Sequence, residues 1–123
     1  MDLLERARTL AACPLFENLA PAVVIRLAER ARAIALDRGA RRAVEDNVWV
    51  VATGALDVAA VHARAGNAIG IVRLLRPDTP RAEPVASEDS VVLALSVDDV
   101  RDVLEEDPAA VAALAERLAA LLL

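Results

Sequence analysis

At about Arg32 the apolar residues of this chain change from helical to strand spacing, and that switch limits the possible folds more than any single motif. Before it, Val24, Leu27, Ala28 and Ala31 make one helical stripe, with Arg26, Glu29, Arg30 and Arg32 on the rest of the wheel. After it, "RAIALDRGA" alternates briefly and ends at Gly39, which predicts a strand and a turn. "VWVVATG", from Val48 to Gly54, is β-branched and apolar, and "ALDVAAVHA" follows as a second strand across the glycine. An apolar segment from Ile69 to Leu75, a Pro-rich turn and "SVVLALS" complete the strand region.

Helical spacing holds at both ends. Leu3, Leu4, Ala7 and Leu10 predict a first helix that Pro14 stops, and Pro21 suits the first turn of a second. Near the C-terminus, Ser96 with Asp99 forms a capping pair before Val97, Val100, Val103 and Leu104. Asp107 and Pro108 then start a last helix with the stripe Val111, Leu114, Ala115, Leu118 and Leu122. The order helix, helix, short strands, helix, helix describes one α+β domain over residues 1–123. Its N-terminal helices span about 2–32, its strands about 33–95 and its C-terminal helices about 97–123.

Composition narrows the function classes. Of 123 residues 57% are hydrophobic, yet there is one Phe, one Trp and no Tyr, so the core packs through small aliphatic contacts. A net charge of -5 argues against nucleic-acid binding, which needs a basic surface to displace counterions. Charges interrupt every apolar run, so no membrane insertion is expected. "MDLLERARTLAAC" lacks a secretory pattern, and the lone Cys13 permits no internal disulfide, so a cytoplasmic location is expected. A single Cys and a single His leave zinc without ligands. No nucleophile–base pattern, glycine-rich phosphate loop or metal cluster is present, so the chain is not expected to be an enzyme or to need a cofactor.

Several segments together resemble cyclic-nucleotide-binding domains. "CPLFENLAPAVVIRLAERAR" is similar to their N-terminal helices, "DRGA" to the turn that starts their β-roll, and "VWVVATGALDV" to their strand pair around a glycine. "AGNAIGIVRLLRPDTPRAEPVASEDSVVLALSVDDVRDVLEEDP" resembles the section from the "FGE" element through the phosphate-binding cassette to the hinge helix. The resemblance covers nearly the whole chain, in order. It implies a cupin-like antiparallel β-roll or barrel, here shortened, flanked by N-terminal and C-terminal helices. Trp49 falls on a core aromatic position.

In that family a short helix after "FGE" offers N–H groups to the cyclic phosphate, an arginine bonds its oxygens, and the glutamate accepts from the ribose hydroxyl. Ligand binding then reorients the C-terminal helix. The resemblance lays the ligand site on Gly70, Ile71, Leu74, Leu75, Arg81 and Ala82. Two positions depart from the pattern. Ile71 stands where the glutamate belongs and cannot accept a hydrogen bond, a loss of about 1–3 kcal/mol or roughly ten- to hundredfold in affinity. Glu83-Pro84 stands where a small residue and a hydroxyl belong, and Glu83 would repel phosphate if it pointed inward.

Gaps around "ARRAVEDN" and between Val61 and Gly66 leave little room for the usual hairpins, which implies a shallower pocket. Together these features predict a degenerate, non-catalytic regulatory or interaction domain without normal cyclic-nucleotide recognition. The alternative is a working sensor that binds a cyclic nucleotide or another anion through Arg81 and backbone amides.

Smaller features carry plainer readings. With Ile71 in place, Arg81 is expected to pair with an acid such as Glu83 or Asp78. "RPDTP" is a turn by its chemistry. His62 is expected to bond solvent or backbone rather than ligate haem with Cys13, and Cys13 to be a small packed residue. A larger fused or associated protein is the expected partner. "LAALLL" extends the apolar stripe of the last helix, so Val111, Leu114, Leu118 and Leu122 either dock on the roll or form a homodimer seam.

Overall fold

The computed structural model describes residues 1–122, with side chains described as far as Leu121. Helix α1 (Leu3–Ala11) leads through a 3-10 turn (Pro14–Phe16) to α2 (Pro21–Arg30). Seven strands follow: β1 (Arg32–Leu36), β2 (Asn47–Thr53), β3 (Ala55–Val58), β4 (Val61–Arg64), β5 (Ala68–Ile69), β6 (Val85–Ala86) and β7 (Ser90–Ser96). A second 3-10 turn (Ile71–Leu74) lies between β5 and β6, and α3 (Val97–Glu105) and α4 (Pro108–Leu122) close the chain. All the pairings are antiparallel, in a four-stranded sheet ordered β1-β7-β2-β5 and a three-stranded sheet ordered β4-β3-β6. The architecture is an unclosed β-roll flanked by helices. Among the described residues no helix is long and apolar enough to cross a membrane.

The centre of the roll is the pairing of β2 with β7, from Asn47↔Ser96 to Thr53↔Val91. Both strands are continuous apolar runs because both of their faces are covered. Val48, Val50, Leu93 and Leu95 face the helices, joining Leu10, Phe16, Leu27, Val103 and Leu114 in one cluster. Trp49, Val51, Val92 and Ala94 face into the roll, against Leu36, Val44, Leu56 and Ile69. Trp49 is 1% exposed, a core aromatic as its position implied.

The helix ends follow their sequence signals. Asp2 accepts from the Glu5 N–H at 2.8 Å, Ser96 from the Asp99 N–H at 3.0 Å, and Asp107 from the Ala109 N–H at 3.0 Å. The α2 stripe of Val24, Leu27, Ala28 and Ala31 is buried as its spacing predicts. In α1 the stripe fails at its start: Leu10 is buried, but Leu3 and Leu4 are exposed. "ALDVAAVHA" is two strands, not one. Asp57 pairs with His62 and Val58 with Val61 around a turn at Ala59, whose φ of 51° is unusual for alanine. No Gly, Asn or Asp marks that turn, so its sequence looks like uninterrupted strand.

The chain passes from the first sheet to the second at Gly54. The register slips between Val51 and Thr53, and Gly54 adopts a φ of 86°. Buried Ser90 holds this corner, accepting from the Ala55 N–H at 3.0 Å and donating to the Glu88 carbonyl at 2.8 Å. A Cβ on Gly54 would sit 2.2 Å from Ser90 Oγ and 2.5 Å from the Asp89 carbonyl oxygen. Gly39 has a similar φ of 88°, but a Cβ there meets nothing within 4 Å. Gly54→Ala therefore combines backbone strain with a backbone clash and should cost about 2–4 kcal/mol, while Gly39→Ala carries the strain alone at about 1 kcal/mol. Thermal unfolding of the two variants checks this, with the Gly54 variant melting roughly 5–15 °C below the Gly39 variant.

Candidate functional site

Gly70 makes the site possible. It ends β5 with a φ of 87° and passes within contact of the Asn47 carbonyl, which a Cβ would approach to 2.9 Å. The chain can therefore turn directly into the second 3-10 turn. That turn, the β3–β4 hairpin and the segment Thr79–Ala82 enclose a cleft of about 460 Å³, with Pro14, Leu15 and Leu121 at its helical side. This size is ordinary for a small-molecule site. The hairpin that the sequence concealed supplies one wall through Val58, Val61 and Ala63.

The six residues assigned by resemblance separate into three groups. Gly70, Ile71 and Ala82 line the cleft. Leu74 and Leu75 do not; they lie on the far side of the 3-10 turn, in a second groove of about 250 Å³ formed with α3 and α4. Arg81 lies outside the cleft, its side chain 55% exposed and its guanidinium 3.4 Å from Asp46. The extended backbone explains this. Val44 donates to the Ala82 carbonyl at 2.9 Å and Arg42 to the Pro84 carbonyl at 3.2 Å, which ties 82–84 to the roll. Ala82 and buried Pro84 face inward, so Arg81 and Glu83 face solvent. Arg81 thus pairs with an acid, but with Asp46 rather than with Asp78 or Glu83. The element after Gly70 is one four-residue 3-10 turn, too short to develop the aligned dipole of a longer helix.

The arginine that does line the cleft is Arg73. Its side chain is only 12% exposed, it donates to the Thr79 carbonyl, and it bonds Asp46 Oδ1 at 2.6 Å. Asp46 therefore lies between two guanidinium groups. Arg73 is legible in hindsight as the one charge inside the apolar run "IGIVRLL". Its partner, 27 residues earlier in the sequence, is not.

The remaining candidates are spread out. His62 is exposed on the hairpin and bonds the Asp57 carboxylate directly across the β3–β4 pair, not backbone or solvent alone. Cys13 is 1% exposed against the cleft wall, and His62 is not among the cleft's lining residues. In α4, Leu114 and Leu118 are buried in the helical core, whereas Val111 is 45% exposed; the side chain of Leu122 lies outside the described residues. Val111, Leu114 and Leu118 do not form one exposed seam. Arg117 Nε donates to the Pro14 carbonyl at 3.0 Å and its guanidinium lies 3.3 Å from Glu17, so α4 docks on the first 3-10 turn.

Two outcomes follow. Arg73→Ala removes a nearly buried, doubly bonded cation and should destabilise the fold by about 1–3 kcal/mol, whereas Arg81→Ala removes one exposed contact and should cost under about 0.5 kcal/mol; urea denaturation of both variants checks the difference. Burial pushes the Cys13 thiol up, opposed by weaker bonding to the Leu15 and Phe16 backbone. The folded state thus favours the protonated thiol, a contribution present in full below the ordinary thiol range and lost as pH rises past the elevated value. Stability of the wild type should fall more steeply in alkali than that of Cys13→Ala, as chemical denaturation across that range would show.

No protein-family model matches this sequence, and no curated protein does. Solved structures do. The sensor domain of the transcriptional regulator DNR from Pseudomonas aeruginosa is similar at a TM-score of 0.80 and 20% identity, over 98% of this chain and 90% of that one. A putative cyclic nucleotide binding protein from Ruegeria pomeroyi gives a TM-score of 0.77 at 16% identity, over 99% of this chain and 60% of that one. The regulatory domain of Toxoplasma gondii PKA, solved with cAMP, gives 0.71 at 16% identity, over 87% of this chain and 49% of that one. Its helices, its open antiparallel roll and these three likenesses give this chain the fold of a cyclic-nucleotide-binding domain.

Proposed function

We propose that this domain is a non-catalytic regulatory module of cyclic-nucleotide-binding type that does not recognise cyclic nucleotides in the usual way, and that it acts within or beside a larger protein. One observation carries this reading. Ile71 lines the cleft at the position where the resemblance calls for a ribose-binding glutamate. A ribose hydroxyl placed there loses its acceptor, at about 1–3 kcal/mol. Arg81 compounds the loss, since it faces solvent and pairs with Asp46. The regulatory side rests on the fold and on the kind of proteins that share it, a sensor domain and a PKA regulatory domain. The 3-10 turn also touches the cleft through Ile71 and the α3–α4 groove through Leu74, a short mechanical path from a bound molecule to the last helices.

Calorimetry with cyclic AMP and cyclic GMP tests the reading. The expected outcome is no binding tighter than roughly 100 μM, in line with the missing contacts. Micromolar binding that Arg81→Ala abolishes would overturn it in favour of a working cyclic-nucleotide sensor.

A further inference from the structure

The geometry points to an uncharged, compact apolar molecule as the ligand of the roll cleft, with Asp46 as the built-in counter-ion that keeps the cleft's arginine from recruiting an anion. This rests on the preceding reading, that the cleft is a regulatory site without ordinary nucleotide recognition.

The walls of the cleft are Val58, Val61, Ala63, Ile69, Ile71 and Ala82, aliphatic side chains with no hydrogen-bonding atoms. Asn67 and Arg73, its amide and its charged side chain, are held within the fold. Asn67 accepts from the Arg64 N–H at 2.9 Å through Oδ1. The terminal nitrogens of Arg73 are taken by the Thr79 carbonyl and by Asp46, and its Nε, without a partner among the described residues, is buried away from solvent. Cys13 is held as the neutral thiol by burial. A charged ligand would shed its hydration against largely aliphatic walls and an arginine already paired with a carboxylate, whereas an apolar one would gain by burial and leave these bonds intact. Cyclic nucleotides carry one phosphate charge, one ribose hydroxyl and a polar base, and would have to desolvate all three.

Asp46 sets this preference. Its carboxylate is 66% exposed, yet it spans Arg73 at 2.6 Å and Arg81 at 3.4 Å. With the carboxylate neutralised, the cation on the cleft wall loses its partner and becomes available to an anion.

Two fluorescent probes with the same hydrocarbon frame separate the cases: N-phenyl-1-naphthylamine, which is neutral, and 8-anilinonaphthalene-1-sulfonate, which adds one charge. The wild type should bind the neutral probe saturably at one site, at least about tenfold tighter than the sulfonate. Filling the cleft with Ala82→Leu or Ala63→Phe should weaken the neutral probe by roughly tenfold, while Val111→Ser in the second groove leaves it unchanged. Should Ala63→Phe fail to fold, Ala82→Leu carries the test, with circular dichroism as the control. Asp46→Asn should narrow the preference by strengthening the sulfonate. A wild type that prefers the sulfonate, neutral-probe binding indifferent to cleft filling, or a preference unchanged in Asp46→Asn would each overturn the inference. Cyclic AMP binding by calorimetry overturns the functional reading beneath it; absence of binding by both cyclic AMP and the neutral probe overturns this inference alone.

Discussion

The pairing of β2 with β7 is the constraint on which the other elements depend. Each strand presents one face to the helices and the other to the roll, so the two hydrophobic clusters share a wall. Val48, Val50, Leu93 and Leu95 leave the helices nowhere else to bury their stripes. Trp49, Val51 and Val92 do the same for the shorter strands. With so few aromatic side chains, this shared wall takes the place of large anchors: burial of Val and Leu at roughly 1.5–3 kcal/mol each is gathered on two strands in register.

The cleft is a consequence of how the roll departs from that pair. Gly54 and Ser90 send the chain from the first sheet into the second, and Gly70 sends it out of β5 into a single 3-10 turn. Between those two glycines the β3–β4 hairpin stands off β2 and leaves space. Short strands do not close that space, and the segment 79–82 lies over its rim. The lining is therefore whatever faces inward on strand alternation, which favours Ala, Val and Ile and puts Arg81 and Glu83 outside. Charge enters only through Arg73, and Asp46 meets it there.

The same 3-10 turn belongs to both the cleft and the helical groove. Ile71 and Arg73 belong to the first, Leu74 and Leu75 to the second. Helix α4 is held independently at its far end, where Arg117 reaches Pro14 and Glu17. Leu74 and Leu75 share an apolar groove with Leu114 and Leu118 of α4.

Much of the architecture was legible because its signals are local. Capping residues at positions 96 and 107, Pro21 in a first turn, and glycines at 39 and 54 act within a few residues of themselves, so the sequence by itself determined where these helices start and where these strands turn. Ile71, read from its place in the sequence, also stands in the cleft. The hairpin at Ala59 escaped because alanine carries no turn signal and its positive φ is imposed by the pairing on either side. Only the tertiary structure decided that Arg73 rather than Arg81 faces the cleft, that Asp46 joins the two, and that Leu114 and Leu118 are core rather than seam. Those outcomes depend on which of two faces a short segment buries and on partners dozens of residues away, and neither is encoded in neighbouring residues.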